Sequence, residues 1–282
     1  MLVTRTSSRS VKRWSAAILG AVALLLIGCM SMIMFQGWYG RSDVEIRRAG
    51  RAIAASGNTA ERAAAYADRA DAYSEKARYL RLIKHIAGEE YNKLFYLAMQ
   101  DYSQAIALDP DNAEMYYRRG GAFYSRAGLD MIYAPYKSVF LAPAKADFSR
   151  AVEMNPQNDL ALDMLGLTEG SMGDWTEALA VFEQEAALKP RMRFRVSDAY
   201  CNRGTHYPRE KYDLAIADLN RTIQMRDASD PCECEPYNPL LAIYLQAREF
   251  DKAREVAALA QHAGKWIAPE YLEQLRAQSA NR

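Results

Sequence analysis

Three histidines, four cysteines and no recognisable catalytic loop leave little in this sequence from which to build an active site. His85, His206 and His262 lie far apart, and no two have the His-x-x-x-His spacing that sets a pair of imidazoles on one helical face for a metal. There is no G-x-x-x-x-G-K-[ST] phosphate loop, no G-x-S-x-G nucleophile elbow and no glycine-rich dinucleotide turn. Asp and Glu number 35, but they are scattered over helical surfaces, where a solvated charge is the ordinary reading. These absences speak against an enzyme, and no cofactor is expected. Positive charge is not in excess either. Arg5, Arg9, Lys12 and Arg13 sit in the first 13 residues with no acid, leaving 32 basic against 35 acidic side chains in the rest. A nucleic-acid partner needs a basic face, so none is expected.

Long hydrophobic runs are equally scarce, with one exception. Trp14 to Phe35 is 22 residues without a charge. As a helix it would reach ~33 Å, enough to cross a hydrocarbon core of ~30 Å. One reading is an uncleaved signal anchor, with Trp14 at one interface and Trp38 and Tyr39 at the other. A second is a bacterial lipoprotein signal, because Leu26-Ile27-Gly28-Cys29 resembles a cleavage box that would leave Cys29 lipidated. Met30 to Phe35 stay apolar beyond the box, which favours the anchor. A basic segment (1–13) leading the run points to export of residues 36–282, so the expected location is single-pass, on the periplasmic side of a bacterial inner membrane. Residues 36–59 read as a juxtamembrane helix or linker.

What is present is a ladder of landmarks at fixed steps. Ala144 to Ala178, Phe148 to Phe182 and Pro156 to Pro190 each advance by 34. Ala98 to Ala144, Tyr102 to Phe148 and Pro110 to Pro156 each advance by 46, and Ala215 and Ala253 continue the series at 37 and 38. Landmarks that shift together imply inserted segments, expected as loops near 77–91 and 127–141. The first half of each unit has its own signature: Tyr66-x-x-Arg69-Ala70-x-x-Tyr73, Tyr116-x-x-Arg119-Gly120-x-x-Phe123, Tyr200-x-x-Arg203-Gly204-x-x-Tyr207, and an aliphatic Leu162-x-x-Leu165-Gly166. Spacings of three, four and seven put these residues on one helical face. The second half carries Ala, an aromatic four later, another small residue and then Pro, which ends the helix. Asp111, Asn112, Asn158 and Asp159 follow as candidate caps.

These motifs resemble the tetratricopeptide repeat, a helix-turn-helix unit of about 34 residues, over residues 60–261. The expected fold is all-α: a tetratricopeptide α-solenoid of about five units behind the apolar anchor helix, with a capping helix and tail in 262–282. First helices are expected near 60–76, 113–126, 159–172, 197–207 and 235–247. Second helices are expected near 92–109, 142–155, 175–189, 211–225 and 250–261, with the cap near 268–279. The resemblance implies a right-handed superhelix whose concave face, lined by first helices, takes a peptide or partner helix. Mapped onto this chain the lining includes Asp71, Tyr117, Tyr124, Asp163, Thr205 and Asn238. The Lys/Asn/Arg clamp of chaperone-tail binders falls on Ala67, Asp71, Arg118, Leu160 and Met164, so most of it is missing. The segment 127–141 is apolar enough either to mark a binding patch or to pack on the lengthened first repeat.

The remaining thiols stay open. Cys201 lies in a first helix, and Cys232 and Cys234 lie in the loop before the fifth unit. They read as unpaired thiols, as a disulfide of Cys201 with Cys232 or Cys234, or as a metal site with His206. Taken together, the sequence points to a membrane-anchored, non-catalytic adaptor that binds a protein or peptide in its groove. A self-associating architectural protein is the alternative, with a homo-oligomer as its signature.

Overall fold

The computed structural model describes residues 40–84, 88–129, 134–226 and 234–280, and all regular structure among them is helical. The basic segment, the apolar run 14–35 and Cys29 lie outside these residues. So do Met131, Ile132, Tyr133 and Cys232. The chain divides into two compact units, with the boundary at Asp111–Asn112.

The first unit contains α1 (residues 40–55), α2 (Thr59–Lys84) and α3 (Glu89–Leu108). Asn58 opens α2 by accepting the Glu61 N–H at 2.8 Å, which satisfies one of the donors a helix start leaves unpaired. α2 packs on α3 through small residues (Ala63, Ala67, Ala70, Ala77) that let Leu94, Phe95 and Tyr102 approach closely. Lys76 ties α2 to α1 through Asp43 at 2.8 Å.

The second unit contains α4 (Ala113–Leu129), α5 (Ala134–Met154), α6 (Asp159–Met172), α7 (Trp175–Leu188), α8 (Arg193–His206), α9 (Tyr212–Met225), α10 (Tyr237–Gln246), α11 (Phe250–His262) and α12 (Pro269–Ala280). Short 3-10 turns at Pro190–Met192 and Arg209–Lys211 lead into α8 and α9. The helices pair as α4 with α5, α6 with α7, α8 with α9 and α10 with α11, and each hairpin packs on the next. α6 has the expected span, with Asn158 accepting the Ala161 N–H at 3.2 Å and Gly173 ending the helix at φ +90°, a conformation that suits glycine. α12 closes the far end by burying Leu275 against the α10–α11 core.

Three expectations are corrected. The segments near 77–91 and 127–141 are not loops for most of their length. α2 runs on to Lys84 and α3 starts at Glu89, while α4 runs to Leu129 and α5 starts at Ala134. An extra 12 residues correspond to about three helical turns, and dividing them between the two partner helices keeps most of their backbone groups hydrogen-bonded. The second helix expected to start near 142 is therefore α5, with Pro143 inside it. α8 also starts four residues before the expected 197.

The Arg in the signature has a structural role that the spacing alone does not reveal. Arg69, Arg119 and Arg203 each grip an aspartate of the paired second helix with two hydrogen bonds: Asp101 at 2.6 and 2.8 Å, Asp147 at 2.8 and 2.7 Å, Asp218 at 2.7 and 2.9 Å. Each guanidinium also lies over the Tyr three residues earlier, at 5.5, 5.9 and 5.4 Å. Hydrogen bonding to the aspartate raises all three guanidinium pKa values. In the third and fifth hairpins Leu165 with Val181, and Leu240 with Val256, hold the same two positions and pack within one apolar cluster each. The pair is therefore exchanged as a unit, charged for charged or apolar for apolar. Size is exchanged likewise. Gly120 and Gly166 receive Phe148 and Phe182, whose rings would lie 2.9 and 2.4 Å from an added Cβ. In the fifth hairpin the large residue is Leu241 on the first helix and the small one Ala257 on the second.

Candidate functional site

A small, partly enclosed hollow forms where the first helices α6 and α8 flank α7. Its volume is ≈ 240 Å³. Leu167, Gly170, Phe182 and Ala199 form an apolar floor, and Ser171, Trp175, Arg195, Asp198 and Asn202 surround it. Gly166 and Gly170 let two of its lining side chains pack directly on α6, since an added Cβ would lie 2.4 Å from Phe182 or 2.6 Å from Trp175. On α8, Arg195, Asp198 and Asn202 fall at intervals of three and four and so share a face. Asn202 donates Nδ2 to the Asp198 carbonyl at 2.8 Å, which fixes its carboxamide on the rim. Cys234 N–H reaches the Asp198 carboxylate at 3.4 Å.

Of the six groove residues expected from the sequence, two border this hollow through their partners. Asp163 Oδ1 lies 3.0 Å from Arg195 Nε, and Tyr124 Oη lies 3.5 Å from Ser171 Oγ. Tyr117 is half-buried, with its ring 6.0 Å from that of Phe148. Burial, with the negative charge of Glu114, Asp163 and Asp159 behind it, raises its hydroxyl pKa. Thr205 is exposed and turns its hydroxyl to the Asn202 carbonyl of its own helix at 2.8 Å. Asn238 is committed elsewhere: it donates to the Trp266 carbonyl at 3.2 Å and accepts from Ala268 N–H at 3.0 Å, fastening the segment that leads into α12. Asp71 belongs to the first unit, where it accepts from Tyr102 Oη at 2.5 Å. It lines a separate cleft of ≈ 460 Å³ with Glu45, Arg48, Asp68 and Glu75.

Sequence reasoning missed Ser171, Trp175, Arg195, Asp198 and Asn202. Starting α8 at 197 dropped Arg195 from the helix. The signal that would have found the rest is the run Arg195, Asp198, Asn202 at helical spacing.

On α7, burial pushes the Glu185 carboxyl up to about 7. The charges of Asp163 and Asp159 add to the rise, and Arg195 and Lys189 oppose it. Cys201 and Cys234 are joined by a disulfide with S–S 2.04 Å, which pins residues 234–236 to α8 and takes up two of the sulfurs a metal site would have used. Arg226 donates to the Cys234 carbonyl at 2.5 Å and pairs with Glu235 at 3.3 Å on the same arm. Among the described residues no cluster of His, Cys, Asp and Glu has the arrangement of a metal site. Nor is any described helix long and apolar enough to cross a membrane. The apolar stretch around 127–141 is split in its described part. Leu141 is buried, Phe140 lies 5.1 Å from the Arg126 guanidinium, and Val139 is exposed.

A family model described as a TPR repeat matches residues 97–125, the end of α3 and most of α4. No curated protein matches the sequence. Among solved structures, the chain is similar to MamA at 20% identity, covering 61% of this chain and 90% of that one with a TM-score of 0.41. It is also similar to YrrB, described as a TPR protein with an unusual peptide-binding site, at 18% identity, 74% and 92% coverage and TM-score 0.42. A third is TTC0263, a TPR protein of Thermus thermophilus, at 16% identity, 65% and 91% coverage and TM-score 0.36. TM-scores this low carry no argument about what the chain binds.

Proposed function

We propose that the chain is a non-catalytic adaptor that captures a protein or peptide in the hollow between α6 and α8, held at a membrane by residues 14–35. The size of the hollow carries the reading. Small-molecule sites usually run from about 300 to 1,000 Å³, whereas ≈ 240 Å³ over an apolar floor suits one side chain of a partner. The rim supplies what an extended backbone beside that side chain would need: an amide at Asn202, a hydroxyl at Ser171 and charges at Arg195 and Asp198. Tetratricopeptide units serve in general as interaction scaffolds, and the match at 97–125 accords with that use.

The Cys201–Cys234 disulfide supports export, because such bonds persist in oxidising compartments. Anchoring then works by effective concentration, confining the partner near the bilayer. Whether residues 14–35 span the membrane or end as lipidated Cys29 is read from the intact mass of membrane-extracted protein. Self-association is the second reading, favoured by Trp266, which is 71% exposed. A stable oligomer by light scattering in detergent would support it, and a monomer would remove it.

The adaptor reading is tested by recovering partners from solubilised membranes with the full-length chain, with Ser171→Phe to fill the hollow and with Asn202→Ala to strip its rim. Recovery should fall at least about tenfold, equivalent to about 1.4 kcal/mol of binding, and stay unchanged for Arg150→Ala on the exposed face of α5. Equal recovery from all four proteins refutes the hollow as the binding site.

A further inference from the structure

Glu185, on α7, plays no part in the binding scheme above. It is 1% exposed, and its Oε2 has no hydrogen-bond partner. The charges that act on it are those of Asp159 and Asp163 on α6, Lys189 just past the end of its own helix, and Arg195 on α8. These four already form two ion pairs, Lys189 with Asp159 and Arg195 with Asp163. The second pair is loosely directed. Nε and Oδ1 are 3.0 Å apart, yet neither makes an aligned hydrogen bond, and the guanidinium is placed by charge and by the Phe194 ring 5.1 Å away. Arg195 is also a wall of the hollow.

With Glu185 protonated, the cluster is balanced, two cations against two anions. Ionising it puts a third carboxylate in a buried place where Oε2 has no donor, a costly state unless a neighbouring cation responds. The loosely held Arg195 is the group able to respond. We propose that Glu185 is a proton-operated switch on the hollow: protonated, it leaves Arg195 to Asp163, and ionised, it competes with Asp163 for Arg195 and moves that side chain within the hollow's wall. The consequence for a partner rests on the adaptor reading. A ligand that fits one position of Arg195 binds with a pH dependence equal and opposite to its effect on the protonation of Glu185.

The test needs no partner. Full-length protein in detergent micelles, labelled with ¹³C at glutamate side chains and ¹⁵N throughout, is titrated by NMR from pH 5 to 8.5. The Glu185 carboxyl, identified by its loss in Glu185→Gln, is expected to titrate at about 7. The Arg195 Nε and Trp175 indole signals are expected to follow the same midpoint in the native chain and to stay flat in Glu185→Gln. Asp163→Asn, which removes one of the charges raising the group, should move the midpoint down, and it supplies an independent check if the glutamine variant folds poorly. A Glu185 midpoint in the ordinary carboxylate range overturns the proposal. So does an Arg195 signal that stays flat while Glu185 titrates, or one that titrates equally in Glu185→Gln. A flat hollow with intact, hollow-dependent partner capture removes the switch alone, whereas a titrating hollow without such capture removes the adaptor site alone.

Discussion

Replacing Arg119 with leucine strands Asp147, which is 6% exposed and loses both of its guanidinium hydrogen bonds. Removing one partner of a buried pair costs about 3–5 kcal/mol. The Arg119 side chain is 23% exposed, so solvent screens part of the interaction and the lower end, about 3 kcal/mol, is expected. Asp147→Val alone leaves the guanidinium, which can turn toward water, and should cost only about 1–2 kcal/mol. The double change, Arg119→Leu with Asp147→Val, recreates the Leu165–Val181 arrangement of the next hairpin and should cost less than about 1 kcal/mol. The double mutant is then more stable than the sum of the singles by at least about 3 kcal/mol. Urea denaturation of the four full-length proteins in detergent, followed by helical circular dichroism, measures this. Additive costs, or a double mutant less stable than Arg119→Leu, would refute the idea that the pair is exchanged as a unit.

Gly166→Ala sets a Cβ 2.4 Å from the Phe182 ring, so thermal denaturation should show a loss of about 1–3 kcal/mol together with a narrowed hollow. The carboxyl of Glu185 has a folded-state pKa of about 7 against an ordinary 4.5, so the folded chain keeps a proton that the unfolded chain releases. Between those values the native state binds more protons, and its stability therefore falls as pH rises. The native chain should lose roughly 3 kcal/mol relative to Glu185→Gln between about pH 4.5 and 7.5, since a pKa difference of one is worth about 1.4 kcal/mol. Parallel stability curves for the two proteins contradict this. Cys201→Ser opens a loop closed over a separation of 33 residues. A loss of about 3–4 kcal/mol is expected, matched by the native chain in dithiothreitol.

How much of this was legible in the sequence depended on which residues repeat. The Ala and aromatic landmarks recur because each packs the same way in successive hairpins, so helix pairing and the span of α6 could be read directly. The added residues near 77–91 and 127–141 looked like loops because nothing in a shift of landmarks says whether extra residues leave the helices or lengthen them. The Arg of the signature was visible, but its partner was not. Asp101, Asp147 and Asp218 sit on the other helix, and only the joint change to Leu165/Val181 and Leu240/Val256 betrays the pairing. Glu185 was hidden among many solvated acids, because burial of a second-helix position depends on a neighbouring hairpin. Asn238 sat at a groove position by register, yet the segment leading into α12 claims both ends of its carboxamide.

The adaptor account stands most directly on whether a partner touches the α6–α8 hollow. A photo-crosslinking residue placed in turn at Ser171, Asn202 and exposed Arg150, in the full-length chain in cells, reports this by mass spectrometry. The account predicts a discrete adduct with one protein from positions 171 and 202 and none from 150. Equal adducts from all three positions, or an adduct from 150 alone, would contradict it.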